Sequence, residues 1–326
     1  MQRIKTAYLL IAAIIILAIV AGDTRVHETT ALCDGRPYAL ATAPHGASPY
    51  VRLSADGVSG QFLLDYGATA SSLSASAFAP SNGSLAIADL SLAGFKGGSF
   101  VLRRYGMPLQ PPGGQLGIIG TDVLSLLTLQ FSEHMVFVGA QSCQPERMRA
   151  RHFVPIAQSG FFSSNPSTDG EYPNVPVVFL RLGEVRTFAQ IDTGYDDVLY
   201  NHSVDINETL FESLVKSGLV LDHLADLSVS TCEGHERRPV YTLKGSSLVI
   251  ESDQGTPIAR TTTFHLILKR ANGCGGIAAM AVPAAQLGAS FLKSFGTVIF
   301  DPKSETIWFE GDATEQKLAS PAETTP

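Results

Sequence analysis

Residues 191–200 read IDTGYDDVLY, and 127 positions upstream residues 64–73 read LDYGATASSL. Each stretch sets one acid, Asp192 or Asp65, directly behind apolar residues and two positions before a glycine, Gly194 or Gly67. A single Asp-Thr-Gly is an ordinary turn. Two such turns in matching surroundings need another reading, so the residues around them were compared. Laying Asp65 on Asp192 also lays Pro49 on Pro176, Val51 on Val178 and Leu53 on Leu180. Both leading segments form short apolar runs about a polar turn (Asp56–Gly57, Gly183–Glu184), the pattern of a hairpin whose second strand is buried.

A second pair of segments repeats in the same order. GIIGTDVL (117–124) and QLGASFL (286–292) each carry a glycine, Gly120 or Gly288, and a leucine four residues later, Leu124 or Leu292. Each is followed by two β-rich runs around polar residues, LQFSEHMVFV (129–138) and VIFDPKSETIWF (298–309). The chain therefore reads as a duplication. Each half is a hairpin, an Asp-x-Gly loop, a β-rich middle, an apolar-Gly segment, a short helix and a closing hairpin. The expected organisation is an N-terminal lobe over 33–143, an inter-lobe linker and leading strand over 144–175, a C-terminal lobe over 176–310 and a disordered tail over 311–326. The cations of QPERMRARH (144–152) read as a solvated linker. NETLFESLVKSGLVLDHL (207–224) is the main helix candidate, with Leu210, Leu214 and Leu219 on or near one face.

Bulk properties bound the function. The 326 residues are 45% apolar and 16% charged, enough for a sizeable core. The net charge of −7 argues against nucleic acid as a partner and leaves few cations for phosphates. Arg3 and Lys5 precede a 17-residue uncharged run, Thr6–Gly22, so residues 1–22 read as an export signal, cleaved or kept as a membrane anchor. Removal of the two cations with that segment takes the charge from −7 to −9. The main domain is expected outside the cytoplasm, whether periplasmic, secreted or membrane-anchored.

Four cysteines fit that compartment, and the pairing Cys33–Cys143 with Cys232–Cys274 closes each bridge within one half of the chain. Free buried thiols are the alternative. Asn82, Asn201 and Asn207 each head an Asn-x-Ser/Thr sequon. No Cys-x-x-Cys pair is present, the eight histidines show no metal spacing, and no Gly-x-Ser-x-Gly elbow occurs. GGQLGIIG (113–120) lacks the Lys-Ser/Thr ending of a phosphate loop.

Two carboxylates brought together at a lobe interface share one proton, because like charges about 3 Å apart do not both ionise easily. Such a pair acts as base toward a water and as acid toward a carbonyl. On LLDYGATASSL, IDTGYDDVLY, the two apolar-Gly segments and VIFDPKSETIWF, the chain resembles the pepsin/retropepsin-like aspartic proteases over most of residues 48–309. The compact first half, with 54 residues between Asp65 and Gly120, is closest to the bacterial retropepsin-like branch. The resemblance implies an all-β, bilobed fold of two homologous β-barrel-like lobes with a few short helices. It also implies a monomer that hydrolyses peptide or protein substrates in an inter-lobe cleft, without metal or other cofactor. Asp65 and Asp192 would be the catalytic pair, with Tyr66, Gly67, Ala68, Thr193 and Gly194 supporting the loops. Tyr105 would stand where the family carries a flap tyrosine.

Two positions depart from the family pattern. Thr or Ser follows each catalytic Asp in the family, and the two hydroxyls brace the loops against each other. Thr193 keeps that residue, whereas Tyr66 does not, and its ring is expected to displace the first loop. Three residues past the acids, Ala68 fits and Tyr195 is unusual; Asp196 and Asp197 read as loop or salt-bridge partners. The expected function is thus an exported aspartic endopeptidase. The alternative is a catalytically impaired relative that binds peptides or proteins or inhibits them.

Overall fold

The computed structural model describes residues 31–41, 47–78, 83–95, 97–103, 114–157, 175–195, 199–200, 202–231, 234–252, 254–271, 276–293 and 295–311. The strands of the first half are β1 (Arg36–Ala41), β2 (Tyr50–Ala55), β3 (Val58–Leu64), β4 (Ser72–Ser74), β5 (Gly83–Ile87), β6 (Gly98–Arg103), β7 (Gln115–Ile119), β8 (Thr128–Phe131), β9 (Met135–Gly139) and β10 (Phe153–Ala157). Those of the second half are β11 (Val177–Leu182), β12 (Val185–Asp192), β13 (Ser203–Asn207), β14 (Leu221–Thr231), β15 (Gly234–Leu243), β16 (Leu248–Glu251), β17 (Pro257–Thr261), β18 (His265–Lys269), β19 (Ala284–Gly288), β20 (Val298–Asp301) and β21 (Thr306–Glu310). The helices are short: α1 (Ala75–Phe78), α2 (Thr121–Leu124), α3 (Pro145–Ala150), α4 (Glu208–Lys216) and α5 (Ala289–Lys293).

The duplication inferred from sequence is visible in the strand order. The first half runs β2-β3-β7-β4-β6-β5 and the second runs β11-β12-β19-β13-β18-β15. Every neighbour relation keeps its sense. The leading hairpins are antiparallel, β3 and β12 run parallel to β7 and β19, and β4 and β13 lie antiparallel to those same strands. The hairpins β2–β3 and β11–β12 match without insertion, because apolar alternation fixes the register of a half-buried pair. Beyond the common frame, the second half adds the long β14–β15 hairpin at one edge and β16–β17 at the other. The fold is all-β and bilobed.

The closing hairpins leave their own lobes and meet each other. β8 pairs antiparallel with β20, giving the run β1-β9-β8-β20-β21-β10, in which the closing hairpin of each half is flanked by one further strand, β1 or β10. One face of this shared sheet carries Leu129, Phe300, Ile307 and Phe309 into the main core. The other carries Ile299 and Trp308 onto a smaller cluster with Leu32, Cys33, Cys143, Met148 and Phe153. The alternation follows from the two-residue period of a strand.

Residues 144–157 are therefore structured, contrary to the solvated-linker reading. α3 buries Met148 while its arginines face outward, and β10 lies against β21. The Cys33–Cys143 disulfide forms, with a sequence separation of 110. In the chain-entropy view a loop of that length contributes about 4–5 kcal/mol. Cys232, Cys274, Asn82, Asn201, the tail and the whole N-terminal segment lie outside the described residues. Among the described residues, no helix is long and apolar enough to cross a membrane.

The helix expected over 207–224 stops at Lys216, and Leu221 onward joins β14. Asn207 caps it by accepting from the Leu210 N–H at 2.9 Å. Its amide also donates to the carbonyls of Ile277, Met280 and Val282, and its oxygen accepts from Ala284 N. With 1% exposure and every polar atom engaged, Asn207 is a structural latch and not a glycan acceptor.

Candidate active site

β3 and β12 each deliver an aspartate at their C-terminal end, where the parallel neighbour, β7 or β19, also ends. The two loops then turn toward each other across the lobe interface. Gly67 N donates to Asp65 Oδ1 at 2.7 Å, and Gly194 N donates to Asp192 Oδ1 at 2.9 Å. Gly194 N also reaches the opposite loop, 3.1 Å from Asp65 Oδ1. The glycines are required by this close approach. A Cβ on Gly67 would run into the Asp192 carboxyl, and one on Gly194 into the Asp65 carboxyl. Each carboxyl thus packs against the glycine of the other loop, and the pair predicted from sequence is brought together.

The loops are tied to their lobes in the same way. Asp65 N donates to Ile119 O, and Thr121 N donates to Ala68 O at 2.8 Å. In the second half Ala289 N donates to Tyr195 O, also at 2.8 Å. Ser71 adds an anchor to the first loop. Its N–H and hydroxyl both donate to Asp122 in the first turn of α2, and the hydroxyl accepts from Gly120 N.

Thr193 supplies its half of the expected brace. Its hydroxyl donates to Leu64 O at 2.6 Å and accepts from Tyr66 N at 3.0 Å, linking the second loop to the first. The matching residue of the first loop is Tyr66. Its ring lies in the core, stacked on Phe300 with centroids 4.1 Å apart and edge-on to Phe131. The side chain is fully buried. With the ring in this position, Tyr66 N still donates to the Thr193 hydroxyl. Phe131 and Phe300 stand on the paired strands β8 and β20, so the phenol joins the core where the two closing hairpins meet.

Electrostatically the pair is poised to share a proton. Burial lifts the Asp65 carboxyl above its ordinary range. Burial, and then the negative charge of Asp65, lift Asp192 well above its own. Two further groups on the Asp192 side had no sequence signal. Gln286 Nε2 donates to Asp192 Oδ2 at 2.8 Å, and Gln286 Oε1 accepts from Lys269 Nζ at 3.4 Å. Tyr195 uses its N–H on Asp192 Oδ1 and its hydroxyl on Asp205 Oδ1, at 2.9 and 3.0 Å. Asp205 is fully buried and meets Arg238, which also holds Glu236. Burial pushes the Asp205 carboxyl up to about 6 despite Lys269 and Arg238.

Tyr105, Asp196 and Asp197 lie outside the described residues. No group of His, Cys, Asp or Glu suited to a metal ion occurs among the described residues.

No protein-family model and no curated protein matches the chain. Solved structures do. A retropepsin-like aspartic protease from Rickettsia conorii is similar at 18% identity over 48% of this chain and 89% of its own, with a TM-score of 0.29. Conglutin gamma, a basic 7S globulin from lupine seeds, is similar at 12% identity over 85% of this chain and 95% of its own, with a TM-score of 0.44. The relation to both is distant and concerns the fold.

Proposed function

We propose that the chain is an aspartic endopeptidase whose catalytic residues are Asp65 and Asp192. The observation that carries this reading is the reciprocal packing of the two carboxyls, each against the glycine of the opposite loop. In this reading a water lies between the carboxyls, and an extended peptide lies across the lobe interface. The unprotonated carboxylate takes a proton from the water as its oxygen bonds to the peptide carbonyl carbon. The protonated partner gives its proton to the carbonyl oxygen, leaving a neutral gem-diol. As the carbonyl re-forms, the newly ionised carboxylate takes back a hydroxyl proton from the gem-diol, the C–N bond breaks, and the proton taken from the water leaves with the amine. No metal is needed, because one acid and one base already sit at the reacting atoms.

The placement of Tyr66 supports catalysis over a binding-only role, since its ring is spent on packing against Phe300 and Phe131. Export is part of the proposal, supported by the N-terminal apolar run and by the Cys33–Cys143 bridge. The test is cleavage of a peptide library from pH 3 to 7 by the native protein and by Asp192→Asn. Cleavage that the substitution abolishes is expected. A native protein that cuts nothing across that range would leave the peptide-binding alternative.

A further inference from the structure

The kind of donor distinguishes the two carboxyls. Asp192 accepts at both oxygens: Oδ1 from the N–H groups of Gly194 and Tyr195, and Oδ2 from Gln286. Asp65 accepts from the main-chain N–H groups of Gly67, Gly194 and Ala68 and meets the Asp192 carboxyl, with no side-chain amide among those partners. An oxygen that accepts from amide donors gains most when ionised.

Gln286 is itself well placed to act. It is 5% exposed, lies on β19 beside β12, and is held from behind by Lys269, whose charge polarises the amide toward Asp192. Counting back two residues from Gly288 and Gly120, its counterpart in the first half is Ile118, which has nothing to donate. The asymmetry is thus built into the repeat at one position.

We infer that Gln286, held by Lys269, is a positioning residue that fixes Asp192 as the hydrogen-bond acceptor of the pair and leaves the shared proton on Asp65 Oδ2. Resting on the peptidase reading, this makes Asp192 the base that takes the proton from water and Asp65 the acid that protonates the carbonyl.

Burial and the Asp65 charge act against that assignment by raising Asp192, so it rests on the Gln286 donor and on the neighbouring cations. Lys269 on β18 favours the ionised Asp192, opposing Asp65 across the interface. Asp205 on β13 also carries negative charge toward Asp192, but Arg238 on β15 and Lys269 both counter it. On the other side, Asp65 has Tyr50 of β2 nearby, whose phenol is raised by burial and by the Asp65 charge and donates to Gln115 at 3.2 Å. No cation among these neighbours favours ionised Asp65 over Asp192.

The test is a carboxyl-carbon NMR titration of the native protein and of Gln286→Leu, with kcat/KM against pH measured in parallel. In the native protein the Asp192 carbon should show the ionised shift at pH values where Asp65 is still protonated. In Gln286→Leu the Asp192 ionisation should move up by about one pH unit. The acid limb of kcat/KM should follow it, with KM changed less than twofold. Lys269→Met, which leaves the amide in place, should move both readouts the same way by about half as much. A native titration with the proton on Asp192, or variants that titrate like the native protein, would overturn the assignment. The carbon titration needs no turnover, so absence of hydrolysis would defeat the peptidase reading alone.

Discussion

The loops at Asp65 and Asp192 share a backbone and differ in nearly every side chain that supports it. Both hang from the end of a strand parallel to its neighbour, and in both a glycine N–H holds the carboxyl. Around this frame the first loop is secured by burial. Tyr66 stacks on Phe300, and one acid, Asp122, gathers the polar groups of Ser71. The second is secured by charge, with Asp205, Arg238, Lys269 and Gln286 arrayed behind Asp192. Main-chain hydrogen bonds tolerate many side chains, so the two loops could diverge while the carboxyls stayed together. The apolar loop supplies a low-dielectric wall, and the charged loop sets which oxygen accepts.

The sharpest way to break the comparison is at the feature the loops share. Gly194→Ala and Gly67→Ala each force a methyl into the opposite carboxyl, and each should cut kcat/KM by on the order of 10³-fold or more. Equal losses from both are expected, measured as initial rates on the best library peptide. A variant that kept its rate would show that the carboxyls need not be packed this closely.

The next effect separates the loops. Tyr66→Thr empties the space beside Phe300 and Phe131 and should cost about 3–5 kcal/mol in denaturant unfolding. Thr193→Val leaves Leu64 O and Tyr66 N without their buried partner and should cost about 2–3 kcal/mol. The sequence alone suggests that Thr at position 66 would raise activity by restoring a brace. With the ring serving as core, any such gain is offset by lost packing.

The smallest effect belongs to the charged loop alone. Asp205 has its folded-state pKa raised to about 6, above the ordinary 3.8, so the folded chain holds a proton that the unfolded chain has lost. The stability this contributes is fully present below pH 4 and is lost as pH rises through 6. A raised pKa of this size is worth up to about 3 kcal/mol. The native protein should therefore unfold at a lower temperature at pH 7.5 than at pH 5, and Asp205→Asn should reduce that difference. The Asp65–Asp192 pair acts in the same direction, so the difference should shrink and not vanish.

Much of this was legible in the residues. The spacing of Asp65 and Asp192, the matching prolines and the repeated glycines carry the duplication, because hairpin register and close backbone approach leave marks in sequence. The Cys33–Cys143 bridge followed from the same halves. The shared sheet was less visible, since nothing in LQFSEHMVFV or VIFDPKSETIWF says that β8 will pair with β20. Gln286 was hidden for a different reason. A glutamine in a strand carries no motif, and its role appears only when β19 is laid beside β12. Asn207 shows the reverse error, a sequon whose asparagine is spent on holding the chain together.

Calorimetric binding of a peptide whose scissile amide is replaced by a secondary alcohol tests the central claim most directly. The alcohol mimics the gem-diol, so a pair poised as base and acid should hold it far more tightly than the parent peptide. One-to-one binding by the native protein is expected, weakened at least about 100-fold in both Asp65→Asn and Asp192→Asn. Undiminished binding by either variant, or no preference of the native protein for the alcohol over the parent amide, would contradict it.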